Sequence, residues 1–231
     1  MTMTAAIAPA TATTTITTPA RHDLYAPIHK ALRLFMTDTL QILSRLDVDD
    51  PRDLAAGLAR LDELLEAASR HVKHENDFVH PAIELRRRGA SRLIEAEHRD
   101  HLEAIAALRT QADALRAEPS AVAAYRLYRQ LAAFIAENFE HMDVEETRHN
   151  QALWAAYGDA DLRAIEDRIH ASIDPGEMSL WMRWMIPAFS PAERARLFAG
   201  LPPEARAPML AQARPWLDEA AWTKLCAALS A

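Results

Sequence analysis

The chain has 231 residues and a mass of 25.8 kDa, which suits one large domain or one domain with an appendage and is too little for two full catalytic domains. Its 33 acidic against 26 basic side chains leave a net charge of −7, which argues against the broad basic face that nucleic acid requires. A single cysteine, Cys226, excludes an internal disulfide and any thiolate-rich metal site. No apolar run reaches a membrane span of roughly 20 residues, and the N-terminus lacks a secretory pattern. The expectation is therefore a cytoplasmic protein with neither membrane nor nucleic acid as partner.

Alanine occurs 47 times and glycine 5 times, while β-branched and aromatic residues are scarce, so the fold class is all-α. Residues 1–21 are rich in Ala and Thr without helical period and read as a disordered N-terminal segment. Helix A is predicted over about 23–46, capped by Asp23, with an inward stripe of Tyr25, Ile28, Leu32, Phe35, Met36 and Leu43. Helix B opens at Pro51 and carries Leu54, Leu58, Leu61, Leu64 and Phe78 before Pro81 and Gly89 interrupt it. Helix C covers about 90–117. Ser120 caps helix D, whose stripe of Leu127, Leu131, Phe134 and Ile135 continues to about Tyr157. Four amphipathic helices joined by short turns predict an antiparallel up-down four-helix bundle over 22–157. Residues 158–231 form an extension of short helices divided by prolines, with four of the five tryptophans; Trp181, Met182, Trp184, Met185 and Ile186 would pack on the bundle or meet a second subunit or protein partner.

Each bundle helix places histidine or glutamate in its apolar stripe. They are His29 on helix A, His71 and Glu75 on B, His98 and His101 on C, and His141 and Glu145 on D. A carboxylate among leucines must be paired, protonated or bound to a cation, and no lysine or arginine shares these stripes. Five histidines and two glutamates on facing helices are the donors from which bundle metal sites are made. An internal echo supports this: His71-Val-Lys-His-Glu75 and His141-Met-Asp-Val-Glu145 share one template, and the helix A or C histidine precedes its partner by 42 residues in one half and 43 in the other.

On these residues the chain resembles the hemerythrin-like family, or HHE cation-binding domain, over roughly 22–157. The resemblance implies a non-haem di-iron centre, bridged by carboxylates and an oxo or hydroxo group, with zinc or manganese as substitute metals. It also implies binding or sensing of oxygen, nitric oxide, peroxide or iron. Oxygen-carrying members space two third-helix histidines by four and place an aspartate five after the fourth-helix histidine. Here His98 and His101 are three apart and Glu145 follows His141 by four, as in the broader bacterial branch. Either His98 or His101 can then be the only helix C ligand, which leaves one metal with an open position.

Of the remaining histidines, His149 lies on the same face as Glu145 and is a further candidate, and His74 reads as a supporting or surface residue. His80 and His22 read as solvated or capping groups, and His170 has no assigned role. Asn138 and Tyr25 could orient ligands or pack the core. Arg86, Arg87 and Arg88 read as a solvated helix end. A binding or sensing protein is the first functional expectation. The alternatives are a nitric oxide or peroxide reductase fed by an external electron donor, and an iron-handling protein whose tail recognises something else.

Overall fold

The structure is a computed structural model that describes residues 21–230. The N-terminal segment assigned to 1–21 lies outside the described residues except for Arg21. That guanidinium donates to Asp159 Oδ1 at 2.6 Å and to the carbonyls of Trp154 and Tyr157.

Local chemistry starts each bundle helix. Asp23 accepts the N–H groups of Tyr25 and Ala26 ahead of α1 (Ala26–Ser44), and Asp50 accepts that of Arg52 at the head of α2 (Pro51–His74). α2 gives way at Glu75 to a π-helical turn, Glu75–Val79, which runs on into α3 (His80–Arg86). At Gly89 the backbone turns with φ of 81°, and the Glu84 carboxylate accepts the N–H groups of Gly89 and Ser91 ahead of α4 (Arg92–Ala117). Ser120 caps α5 (Ala121–Val144). This helix too passes through a π turn, Glu145–His149, into α6 (Asn150–Ala156).

α1 and α4 each pack against both α2 and α5, closing a four-helix bundle. Its lower half is filled by Phe35, Met36, Leu58, Leu61, Leu108 and Leu131, all buried. Each such side chain contributes about 2 kcal/mol, and this dry half supports the polar layer above it. Helix B therefore does not stop at Pro81. The proline stands in the first turn after the π turn, where its missing N–H costs little.

The extension folds back. α7 (Asp159–Ser172) covers the π-turn end through Leu162 and Ile165, which pack with Tyr25, Val79 and Ile83. α8 (Pro175–Ala188) lies along α1; Trp181 and Trp184 join the bundle core, with Trp184 stacked on Phe35 at a ring separation of 4.1 Å. α9 (Pro191–Gly200), α10 (Pro203–Ala213) and α11 (Glu219–Ser230) gather around their own small cluster of Ile186, Phe198, Leu217 and Leu225. No helix among the described residues is long and apolar enough to cross a membrane.

Candidate metal centre

The two π turns begin at the two glutamates of the His-x-x-x-Glu repeats, so Glu75 and Glu145 stand at equivalent points of facing helices. Around them the four helices bring His29, His71, His98 and His141 to one depth. Glu75 Oε1 lies 3.4 Å from His71 Nε2 and 3.6 Å from His29 Nε2, while its Oε2 lies 3.3 Å from His98 Nε2. Glu145 Oε2 lies 3.5 Å from His29 Nε2 and 3.4 Å from His141 Nε2, and its Oε1 lies 3.7 Å from His98 Nε2. Each carboxylate thus faces histidines on both sides. Donor atoms of His29, His71, Glu75 and Glu145 lie within 4.8 Å of one another, as do those of Glu75, His98, His141 and Glu145.

Water scarcely reaches this layer. His29 and Glu145 are 0% exposed, His98 1% and Glu75 4%. Both oxygens of both glutamates, and Nε2 of His29 and His71, have no hydrogen-bond partner. Leaving a buried charged acceptor unmet costs upwards of about 1–3 kcal/mol per group. Four such oxygens in one pocket, ringed by imidazole nitrogens at 3.3–3.7 Å without a hydrogen bond made, are the donor set of a cation site.

The outer nitrogens are already engaged. His29 Nδ1 donates to Glu146 Oε1 at 2.9 Å, His98 Nδ1 to Asn76 Oδ1 at 2.8 Å and His141 Nδ1 to Glu97 Oε2 at 2.7 Å. These acceptors fix the protonated nitrogen on the outside and leave Nε2 for the interior. Asn76 and Glu146 each follow a layer glutamate by one residue, so the internal repeat supplies both an inner carboxylate and an outer acceptor.

Residues 22–151 match the Hemerythrin HHE cation binding domain, more than half of the chain. The chain belongs to this hemerythrin family. No curated protein and no solved structure matches it. The buried His/Glu groupings fit a metal-binding, hemerythrin-like protein, and the match ends before α7, so the extension lies outside it.

Of the seven residues singled out in the sequence, six of this hemerythrin-like layer fall in the two groupings, and His101 falls in neither. Its ring sits 4.6 Å from that of His141 and 6.1 Å from Phe134, and its Nδ1 has no partner. It lines a cavity of about 310 Å³ with Glu97, Asp100, Glu137 and Glu140, an acidic approach to His141.

His80 is a correction. The break expected at Pro81 made it a solvated or capping group, yet it is 6% exposed, stacks on His98 with ring centroids 4.8 Å apart, and forms a third grouping with Glu145 and His149. The π turn is the cause. The N–H of His80 bonds to the carbonyl of Glu75 five residues back, so His80 lies beneath Glu75 on the inner face rather than about 140° away, as the 3.6-residue turn of an α-helix would place it. His149, the further candidate, also points inward, with its Nδ1 3.2 Å from the Tyr25 hydroxyl.

The other sequence candidates settle elsewhere. His74 bonds to Glu177 at 2.9 Å, His22 pairs with Glu166 at 3.1 Å, and the Asn138 amide donates to the Phe134 carbonyl. The Tyr25 ring packs against that of His29 at a tilt of 38°, as well as meeting His149. His170 is exposed.

Charge in the hemerythrin-like layer is balanced by protons when no metal is counted. Burial opposes charge on His29 and His98, but the hydrogen bond to Glu146 and the nearby Glu75 carboxylate for one, and the nearby Glu145 and Glu75 carboxylates for the other, lift both to about 9. Burial and the neighbouring Glu75 charge push Glu145 up, and His141 and His98 outweigh them to bring it to about 2. Against the pull of burial, His71, His29 and His98 hold Glu75 well below the usual carboxylate range. His71 and His80 fall to about 4, chiefly through burial.

Proposed function

We propose that the chain holds two iron ions side by side in this layer. His29 and His71 would ligate one and His98 and His141 the other, with Glu75 and Glu145 between both. The observation that carries this reading is the set of four carboxylate oxygens buried without hydrogen bonds between two histidine pairs. An N/O donor set suits iron better than a thiolate-seeking metal, although zinc or manganese can substitute. Four protein donors per ion leave positions open to a small molecule.

Bound there, iron would supply reversible one-electron chemistry toward oxygen, nitric oxide or peroxide, and the protein would bind or sense such a molecule. The chain's own residues do the rest. Glu146, Asn76 and Glu97 orient the imidazoles, and Phe35, Leu61, Leu131 and Phe134 keep water from below. Tyr25 keeps its proton: burial, and then the charges of Glu145 and Glu75, push its pKa well up, so its hydroxyl remains a donor beside His149. Residues 158–231 act as an appendage that walls one side of the layer.

The test is elemental analysis of the purified protein, followed by an optical spectrum of the anaerobic ferrous form before and after exposure to air. Two irons per chain and a reversible new absorption band support the reading. A protein that takes up no iron contradicts it.

A further inference from the structure

α7, α8 and α9 leave a cavity of about 980 Å³ between themselves and α1, at the upper end of the ~300–1,000 Å³ of pockets that take small organic molecules. Its walls are Met178, Met182 and Met185 of α8, Ile169 and Ile173 at the end of α7, and Leu197 of α9. Methionines make a wall that adapts to flexible apolar chains. Burial is graded along the cavity. Tyr25, His71, Glu75 and Trp181 line it as buried residues, and Arg163, His170 and Arg196 as exposed ones. The inner end is therefore a wall of the His/Glu layer, and the outer end opens among charged side chains, Arg163 and Arg196 with Glu166 and Glu193.

The rim is unbalanced in charge. Its acidic members are already paired, Glu166 with His22 at 3.1 Å and Glu193 with Lys30 at 2.6 Å. Arg163 and Arg196 make no ion pair within 4.0 Å among the described residues. Two guanidinium groups outside any ion pair, above an apolar interior, match a molecule with an anionic head and a hydrocarbon body.

We propose that this cavity binds a long-chain carboxylate, its head at the Arg163 and Arg196 rim and its chain along the methionines toward His71 and Glu75. Burial of the chain supplies most of the affinity, and the arginines select the head group. A seated chain covers this approach to the layer, so the extension controls what reaches it from that side. Its methionine wall and arginine rim come from α7, α8 and α9, beyond the family match, while its inner end is shared with the bundle; the proposal does not depend on metal being bound.

Tryptophan fluorescence, with Trp181 in the cavity wall, reads binding directly. The full-length chain, as purified and again after chelation, is titrated with dodecanoate below its micelle concentration. Saturable binding of one molecule per chain is expected in both samples. Dodecanol and dodecyltrimethylammonium are expected to bind at least about tenfold more weakly. The double variant Arg163→Ala, Arg196→Ala is expected to lose about tenfold in dodecanoate affinity while its dodecanol affinity stays unchanged. No saturable binding, no preference among the three head groups, or an unchanged dodecanoate affinity in the double variant would each overturn the proposal. Because the head-group comparison uses the unaltered protein, it decides the matter even if the variant folds poorly. Iron content is measured on the same samples, so failure here is distinguishable from failure of the metal reading.

Discussion

The Nδ1–H of His29 donates to Glu146 across 2.9 Å, and Arg33 holds the same carboxylate oxygen from the other side at 2.5 Å. This outer contact decides which imidazole nitrogen faces the layer. Replacing Glu146 with Gln keeps an acceptor, whereas Ala removes it. Glu146→Ala should weaken metal binding by about 10–100-fold and Glu146→Gln by much less. Competition against a chelator of known affinity measures both. Equal affinities in the two variants would show that the contact does not position His29.

His98 and His101 stand one turn apart on α4, but only His98 approaches the carboxylates. His98→Ala should cost at least one metal per chain, and His101→Ala should retain both. The check is elemental analysis after loading under argon. Loss of metal from the His101 variant alone would reverse the assignment.

The acidic cavity beside His101 should act on rate rather than affinity. A cleft of one sign concentrates cations and speeds their arrival, more so at low salt. The pair Glu137→Gln, Glu140→Gln should slow uptake of cobalt by about tenfold at low ionic strength, with unchanged final stoichiometry. Stopped-flow absorbance gives the rate. An unaltered rate would place the route elsewhere.

Glu193 joins the extension to the bundle through Lys30 and also accepts the N–H of Ser190. Lys30, then that N–H, hold its carboxyl at about 2, below the ordinary 4.5. A depressed carboxyl stabilises the fold above pH 4.5, and the contribution drains away as pH falls toward 2. Glu193→Gln should therefore lower Tm modestly at pH 7, since the pair is partly exposed to solvent. The gap should close as the two proteins are melted at successively lower pH. A gap that persists at pH 2 would mean that packing, not charge, is responsible.

The bundle and most of its polar layer were legible because both obey one period. Leu61, Leu64, His71 and Glu75 step by three, four and seven along an ordinary α-helix, and so do Leu131, Phe134, His141 and Glu145. His80 was not legible. One extra residue in the π turn rotates everything after Glu75, and a reading in steps of 3.6 sends His80 outward. A histidine or asparagine five residues after each repeat glutamate, His80 and Asn150, was the available signal, and both are buried. Nor could spacing separate His98 from His101. That choice rests on Asn76, which reaches His98 from another helix. The apolar run of α8 announced burial without naming its partner; the structure supplies it as Phe35 of α1.

The central claim is that cations fill the space between the two carboxylates. Iron content of the purified chain, compared with that of Glu75→Ala and Glu145→Ala, addresses this most directly. The account predicts two irons per chain in the unaltered protein and one or fewer in either variant. Iron content unchanged by both substitutions would contradict it.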